Sequence, residues 1–302
     1  MSASARASQV IVEWLDGGDV DPSRVGGKGA SLNRLIRAGF RVPPGFCLTT
    51  DAFETQVASL PGAAAIRSDP SRLADDVIRA TVVDALLARP LAQPLADAIR
   101  PALDRLAGVA LDGDGRPPRL AVRSSAVAED GAGASFAGLH DTELGLTTQD
   151  VVPAVLRCWS SLWSDRAVAY RGRRGLPLDG GAMAVVVQAL VPARAAAVAF
   201  TRHPVTGRDD QVVINASHGL GEAMVSGTVT PDTIVVDKPS HAVLEFTPGE
   251  TGEGPALGQD ALAELVDLCL EVERAYGAQV DIEAAWAVDG WYLLQARPIT
   301  TR

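Results

Sequence analysis

Near the C-terminus, two runs of alternating apolar and polar residues flank Asp289-Gly290, and this stretch constrains the chain more than any other. Asp-Gly between alternating runs specifies a tight β-hairpin, because both residues tolerate the positive φ that such turns require. Side chains alternate between the two faces of a strand, so loop length decides which residues share a face. A two-residue loop would set Glu283 and Gln295 on opposite faces. A three-residue loop of Val288, Asp289 and Gly290, with Gly290 left-handed, instead pairs Glu283 with Gln295 and Asp281 with Arg297. The other face then carries Ile282, Ala284, Trp286, Tyr292, Leu294 and Ala296, a coherent core layer. The three-residue register is therefore the one expected.

That register gathers two carboxylates, an amide oxygen and a guanidinium on one face of a rigid hairpin. Mg²⁺ takes oxygen ligands, one or two of them carboxylates beside phosphate oxygens, while Arg offers phosphate a planar fork. The plainer reading is an exposed cross-strand Asp–Arg pair worth about 0.2–1 kcal/mol. The hairpin by itself leaves both readings open.

Three upstream segments bear on the choice. Gly26-Gly27-Lys28-Gly29 leads into a helical stretch from Ala30 to Ala38 closed by Gly39. Glycines let backbone approach a ligand, and a helix N-terminus attracts anions. The spacing is not that of a P-loop, and a glycine turn with a solvated lysine is the alternative. In mid-chain, Leu120 to Val122 reads as a strand delivering Arg123-Ser124-Ser125, followed by the small, flexible run Gly131 to Gly138. That run suits a lid over phosphates, or an ordinary Gly/Ala surface loop. Later, Thr201-Arg202-His203-Pro204-Val205-Thr206-Gly207 follows an apolar strand and reads otherwise as a polar turn.

Composition narrows the class. A chain of 302 residues, 47% hydrophobic, can bury one or two sizeable cores. Its net charge of −10 argues against a nucleic-acid footprint, which is basic. Arg171-Gly172-Arg173-Arg174 reads as a helix C-terminal end or a partner contact. Cys47, Cys158 and Cys269 are isolated and odd in number, as suits a reducing compartment. Neither a secretory signal nor a membrane span is expected, and the location expected is cytoplasmic.

Along the chain, Ser8 to Leu15 reads as a first strand, and Asp51 opens a helix with Glu54 as its capping partner. Residues 70 to 108 read as helix interrupted at Pro90, Pro94 and Pro101. Val151 to Tyr170 reads as one amphipathic helix whose Trp159 and Trp163 pack into the core. Met183 to Leu190 and Ala195 to Thr201 are expected to form a hairpin across Pro192-Ala193. Asp260 to Tyr276 is a helix with Leu262, Leu265, Val266, Cys269 and Val272 on one stripe, stopped by Gly277. A lobe boundary is expected at Leu178 to Gly181, giving domains 1–179 and 180–302.

Taken together and in order, VGGKGASLNRLIRAGFRVPPGF, AVRSSAVAEDGAGASFAGLHDTELGL, AVAFTRHPVTG, ASHGLGEAMVSGTVTPD and VDIEAAWAVDGWYLLQARPIT resemble one known domain. It is the nucleotide-binding domain of phosphoenolpyruvate synthase, pyruvate phosphate dikinase and rifampicin phosphotransferase. The resemblance runs from about Val25 to Thr300 and implies an α+β ATP-grasp fold, with mostly antiparallel sheets in two lobes and ATP between them. It implies that Lys28 and Arg123 contact ATP phosphates and that Glu283 and Gln295 hold Mg²⁺, with Asp281 and Arg297 beside them. Lys28, Arg123 and Arg297 are the implied catalytic residues. Gly133, Ser135 and Gly138 belong to the implied lid, Arg202 approaches the triphosphate from the other lobe, and Gln188 lies on the adenine side. Ala284 stands where family members carry a bulkier residue.

The resemblance also implies an ATP-dependent phosphotransferase working with a histidine on a swivelling domain, from which a small molecule receives the phosphate. None of the four histidines, His140, His203, His218 and His241, lies in such an acceptor segment. His140 and His203 are expected to contact phosphate, and His218 and His241 to be structural or solvated. The expected partner is thus a separate protein or domain bearing the acceptor histidine. A self-contained ATP-grasp kinase or ligase and a non-catalytic nucleotide-binding module stand as alternatives.

Overall fold

A computed structural model describes residues 10–109, 116–127, 142–175, 181–221, 227–250 and 254–299. Among these, 10–30, 44–109 and 116–190 form one compact unit, and 31–43 and 191–299 form another. Each is built on an antiparallel sheet, as expected for an α+β chain.

The first unit holds β1 (Val12–Trp14), β2 (Gly45–Leu48), β3 (Leu120–Ala126), β4 (Thr142–Leu146) and β5 (Met183–Ala189), in the sheet order β1-β2-β5-β3-β4. Helix α1 (Pro22–Arg37) starts in this unit, which also contains α2 (Thr50–Ala58), α3 (Ala63–Ser68), α4 (Asp76–Ala88), α5 (Gln93–Ala107), α6 (Val151–Ser160) and α7 (Asp165–Arg174). Strands β3 and β5 are almost wholly buried, as the middle of a sheet covered on both sides must be.

Several local expectations change. Helix α1 begins at Pro22, not Ala30, and breaks at Gly26. Pro101 lies inside α5 instead of interrupting it, because the buried stripe Leu95, Ile99, Ala102 and Leu106 runs across it and packing outweighs local propensity. The single helix expected from Val151 is two. A 3₁₀ turn at Ser161–Trp163 separates them, and the Ser164 hydroxyl caps α7 by accepting the Ala167 N–H at 3.3 Å. The turn lets Trp159 and Trp163 both reach Phe53, with ring centroids 5.9 Å from it in each case. Asp51 lies in the first turn of α2, yet it makes no capping box. Its carboxylate instead binds Arg24 at 2.9 Å and the Val10 N–H at 3.2 Å.

The second unit comprises β6 (Ala195–Phe200), β7 (Gln211–His218), β8 (Asp232–Asp237), β9 (Val243–Thr247), β10 (Val280–Ala287) and β11 (Gly290–Pro298), with α8 (Gln259–Tyr276). Its sheet order is β11-β10-β6-β7-β8-β9. Strands β5 and β6 therefore do not form the expected hairpin: β5 pairs with β2 and β3, and β6 with β7 and β10. Pro192 cannot donate to a ladder, and the chain leaves one sheet for the other here.

One face of the second sheet packs under α8. Ala195, Ala197, Ala199, Ile214, Ile234, Ile282 and Leu293 meet Leu265, Val266, Cys269 and Val272 in a single core. Asp232 ties the loops around it, its two carboxylate oxygens accepting from the Gly249 and Ala256 N–H groups at 2.7 Å. Strand β11 lies at the sheet edge, where Ser31 and Arg41 cover its backbone. Ser31 Oγ donates to the Ala296 carbonyl at 2.5 Å, and the Arg41 carbonyl accepts from Leu293 N–H at 2.8 Å.

Candidate functional site

In the first unit, backbone geometry sets the functional corner. Gly26 has φ +70° and ψ 177°, and a Cβ there would stand 2.1 Å from the Ser125 carbonyl oxygen. Only glycine permits both the left-handed φ and that approach. Ser125 locks the corner from β3: its hydroxyl donates to the Val25 carbonyl at 2.7 Å and accepts the Gly29 N–H at 3.1 Å. Lys28 follows directly, in the first turn after the break and half-buried. Register places Arg123 opposite Val186 and Gln188 opposite Ala121, so Arg123, Ser125 and Gln188 share one sheet face. The structure thus brings Arg123 and Gln188 to the face on which the Gly26 corner packs.

In the second unit, sheet register sets the site, and it does so by a route the sequence did not predict. Ala287 pairs with Gly290, so the turn is Val288-Asp289 alone, with Gly290 at φ +116°. A bulge at Leu294 then shifts the register between Glu283 and Ala284, as an extra residue on one strand does. The shift restores the pairs Asp281–Arg297 and Glu283–Gln295. It also corrects the core layer: Trp291 and Leu293, not Tyr292 and Leu294, join Ile282, Ala284 and Ala296 under α8. Tyr292 and Leu294 pack on the opposite face with Val191, Ala285 and Ala287.

That opposite face carries Asp281, Glu283, Gln295 and Arg297. Arg297 binds Asp281 Oδ2 through Nε at 2.9 Å and through a terminal nitrogen at 2.8 Å. Burial nevertheless pushes the Asp281 carboxyl above the ordinary aspartate range; Arg297 opposes this and Glu283 adds to it. Gln295 is 6% exposed, whereas Arg297 keeps 39% of its side chain in solvent. A buried carboxamide and a half-buried carboxylate in register are an oxygen donor set of the kind a hard cation takes.

The row extends further than the sequence reading foresaw. Glu283 pairs with Val198, Val198 with Asn215, and Asn215 with Thr233. All therefore share the face of Glu283, and Thr233 Oγ1 donates to Asn215 Oδ1 at 3.0 Å. Asn215 was legible in principle, since asparagine is disfavoured in the middle of an apolar strand.

Arg202 sits in the turn after β6, where its Nε donates to the Gly207 carbonyl at 3.0 Å. Thr201 fixes that turn to the start of β10: its hydroxyl accepts the Val280 N–H at 2.8 Å. His203 Nδ1 accepts the N–H groups of Val205 and Thr206, both at 3.2 Å. His218 Nε2 lies 3.1 Å from the Gly254 carbonyl, and His241 Nδ1 lies 3.6 Å from Asp267. Gly133, Ser135, Gly138 and His140 lie outside the described residues. Among the described residues no cluster of three or more His, Cys, Asp or Glu could hold a metal, and no helix is long and apolar enough to cross a membrane. The cysteines are buried free thiols.

Comparison with known proteins gives the family. The family model for the pyruvate phosphate dikinase, AMP/ATP-binding domain, matches residues 22–302. The prodigiosin synthesizing transferase PigC of Serratia marcescens is 39% identical over an alignment covering 97% of this chain and 33% of its own length. A rifampicin phosphotransferase from a Streptomyces species is 38% identical, covering 98% and 36%. A probable phosphoenolpyruvate synthase of Methanocaldococcus jannaschii is 36% identical, covering 97% and 27%. The chain spans about a third of the length of these relatives.

Proposed function

This chain belongs to the pyruvate phosphate dikinase, AMP/ATP-binding domain family, and from that premise we propose that it is the ATP- and Mg²⁺-binding part of a phosphotransferase. The two antiparallel sheets with their helices are the α+β architecture expected, and we read it as an ATP-grasp fold. The phosphoryl acceptor in this reading is a histidine on a separate domain or protein, which passes the group to a small molecule in the cytoplasm.

The observation that carries the reading is the register pair Glu283–Gln295 beside the Asp281–Arg297 ion pair, on the sheet face turned away from α8. The donor set fits Mg²⁺: Glu283 supplies a carboxylate and Gln295 an amide oxygen, leaving the remaining positions to phosphate and water. When bound, the ion neutralises phosphate charge. Phosphoryl transfer asks a protein mainly for positioning and charge neutralisation, and this chain's residues divide those tasks. Arg297, held by Asp281 and with 39% of its side chain exposed, is the guanidinium that meets a phosphate in this reading. Lys28 and Arg123 contact phosphates from the Gly26 corner, Gln188 serves the adenine side, and Arg202 adds a further cation. Gly133, Ser135 and Gly138, outside the described residues, are further phosphate contacts in this reading.

Two of the described histidines make local contacts. His203 spends Nδ1 as an acceptor inside its own turn, and His218 and Gly254 engage one another. The relatives are named as a phosphotransferase, a synthase and a transferase, and all are longer than this chain.

Calorimetric titration of ATP with Mg²⁺ tests the site, wild type beside Glu283→Ala. Binding by the wild type that the variant loses, with the thermal midpoint unchanged, is expected. Labelled ATP should then give an acid-labile phosphohistidine on the histidine domain of a longer relative supplied in trans. Binding that Glu283→Ala leaves intact overturns the site, and binding without any transfer in trans overturns the phosphotransferase reading.

A further inference from the structure

We propose that Asn215, oriented by Thr233, is a further phosphate-binding residue of this site, donating from its amide nitrogen to an oxygen of the metal-bound polyphosphate. The inference rests on the nucleotide reading above and adds to it a residue from β7.

Two observations lead there. Asn215 lies on the same sheet row and the same face as Glu283 and Gln295, two strands away across Val198. Adjacent strands stand about 4.8 Å apart, so Glu283 and Asn215 are separated by roughly 10 Å. A phosphoryl group on a cation held by Glu283 would face that interval, where the residue in register is the apolar, half-buried Val198. The second observation is orientation. Thr233 Oγ1 donates to Asn215 Oδ1, which fixes the carboxamide with its NH₂ group turned from Thr233. Among the described residues Asn215 Nδ2 has no hydrogen-bond partner. Asn215 is half-buried, so this donor stays open to water or to an anion.

The chemistry suits the place. Asp281 and Glu283 already bring negative charge, and Arg297 answers Asp281. A neutral amide donor binds phosphate without disturbing that balance.

Titration of ATP, ADP and AMP, each with Mg²⁺, into wild type, Asn215→Ala, Asn215→Asp and Thr233→Val tests the inference. Asn215→Ala should weaken ATP by about tenfold, the loss of one hydrogen bond to a charged group, and change AMP by less than about twofold. Asn215→Asp keeps the shape and the bond from Thr233 but removes the donor, so it should weaken ATP at least as much while folding normally. Thr233→Val should give a smaller loss with the same dependence on phosphate number. Equal effects on all three nucleotides, or none, overturn the proposal while leaving the site at Glu283 standing. Failure of the wild type to bind ATP overturns both.

Discussion

The two units hold their functional residues by opposite means. In the first, a glycine break lets α1 press its backbone against Ser125, and Lys28 follows from that contact. In the second, side chains stand on a sheet face that α8 leaves uncovered, and register alone aligns them. The contrast separates stability from function. Backbone contact cannot be altered without disturbing the fold, whereas a polar face outside the core can lose side chains and keep its strands.

Gly26→Ala should therefore have the largest effect. A methyl group 2.1 Å from the Ser125 oxygen, at φ +70°, adds a steric clash to left-handed strain. The expected cost is about 3 kcal/mol or more, read from chemical denaturation. A loss under about 1 kcal/mol would break the comparison at its stronger end. Ser125→Ala comes next: it leaves the Gly29 N–H and the Val25 carbonyl without their buried partner, for about 2 kcal/mol. Preserved stability there would assign the corner to packing, not hydrogen bonding.

How much of this was legible in the sequence follows the same division. Periodicity gave α8 within a residue and the strands of the terminal hairpin. The Asp281–Arg297 and Glu283–Gln295 pairs were right for the wrong reason: a three-residue loop was expected, and a shorter turn with a bulge at Leu294 gives the same pairs. Two compensating irregularities cancel in register yet move Tyr292 and Leu294 to the other face, which alternation counted from one end cannot reveal. The β5–β6 hairpin failed because neighbouring strands in sequence joined different sheets. Asn215 was missed because the reading followed charges and glycines, and a neutral amide gave neither signal.

Ser31→Ala sharpens the comparison from the second unit. Ser31 Oγ donates to the Ala296 carbonyl at the covered edge of β11, between Gln295 and Arg297. Its loss should cost about 1 kcal/mol in stability and several-fold in ATP–Mg²⁺ affinity. Lost stability with unchanged affinity would mean that the edge bond serves the strand and not the site.

The smallest effect expected is a change in how stability varies with pH on replacing Asp281 by Asn. Burial raises the Asp281 carboxyl above its unfolded value of 3.8, so the folded chain holds that proton more tightly than the unfolded one. Between the two values the folded state binds more protons, and stability falls as pH rises through that window. Below 3.8 the carboxyl is protonated in both states, and above the folded value the full cost of keeping it ionised remains. Asp281→Asn removes the titration and can still accept from Arg297. The denaturation midpoint of the variant should thus lose less than that of the wild type as pH rises above the ordinary aspartate range. Mg²⁺ with ATP favours the ionised carboxylate, so binding to the wild type should release protons in the same window, and binding to the variant fewer. Parallel midpoint curves would mean that Arg297 has already offset burial. The two units would then differ in geometry alone, not in the electrostatic cost of holding their charges.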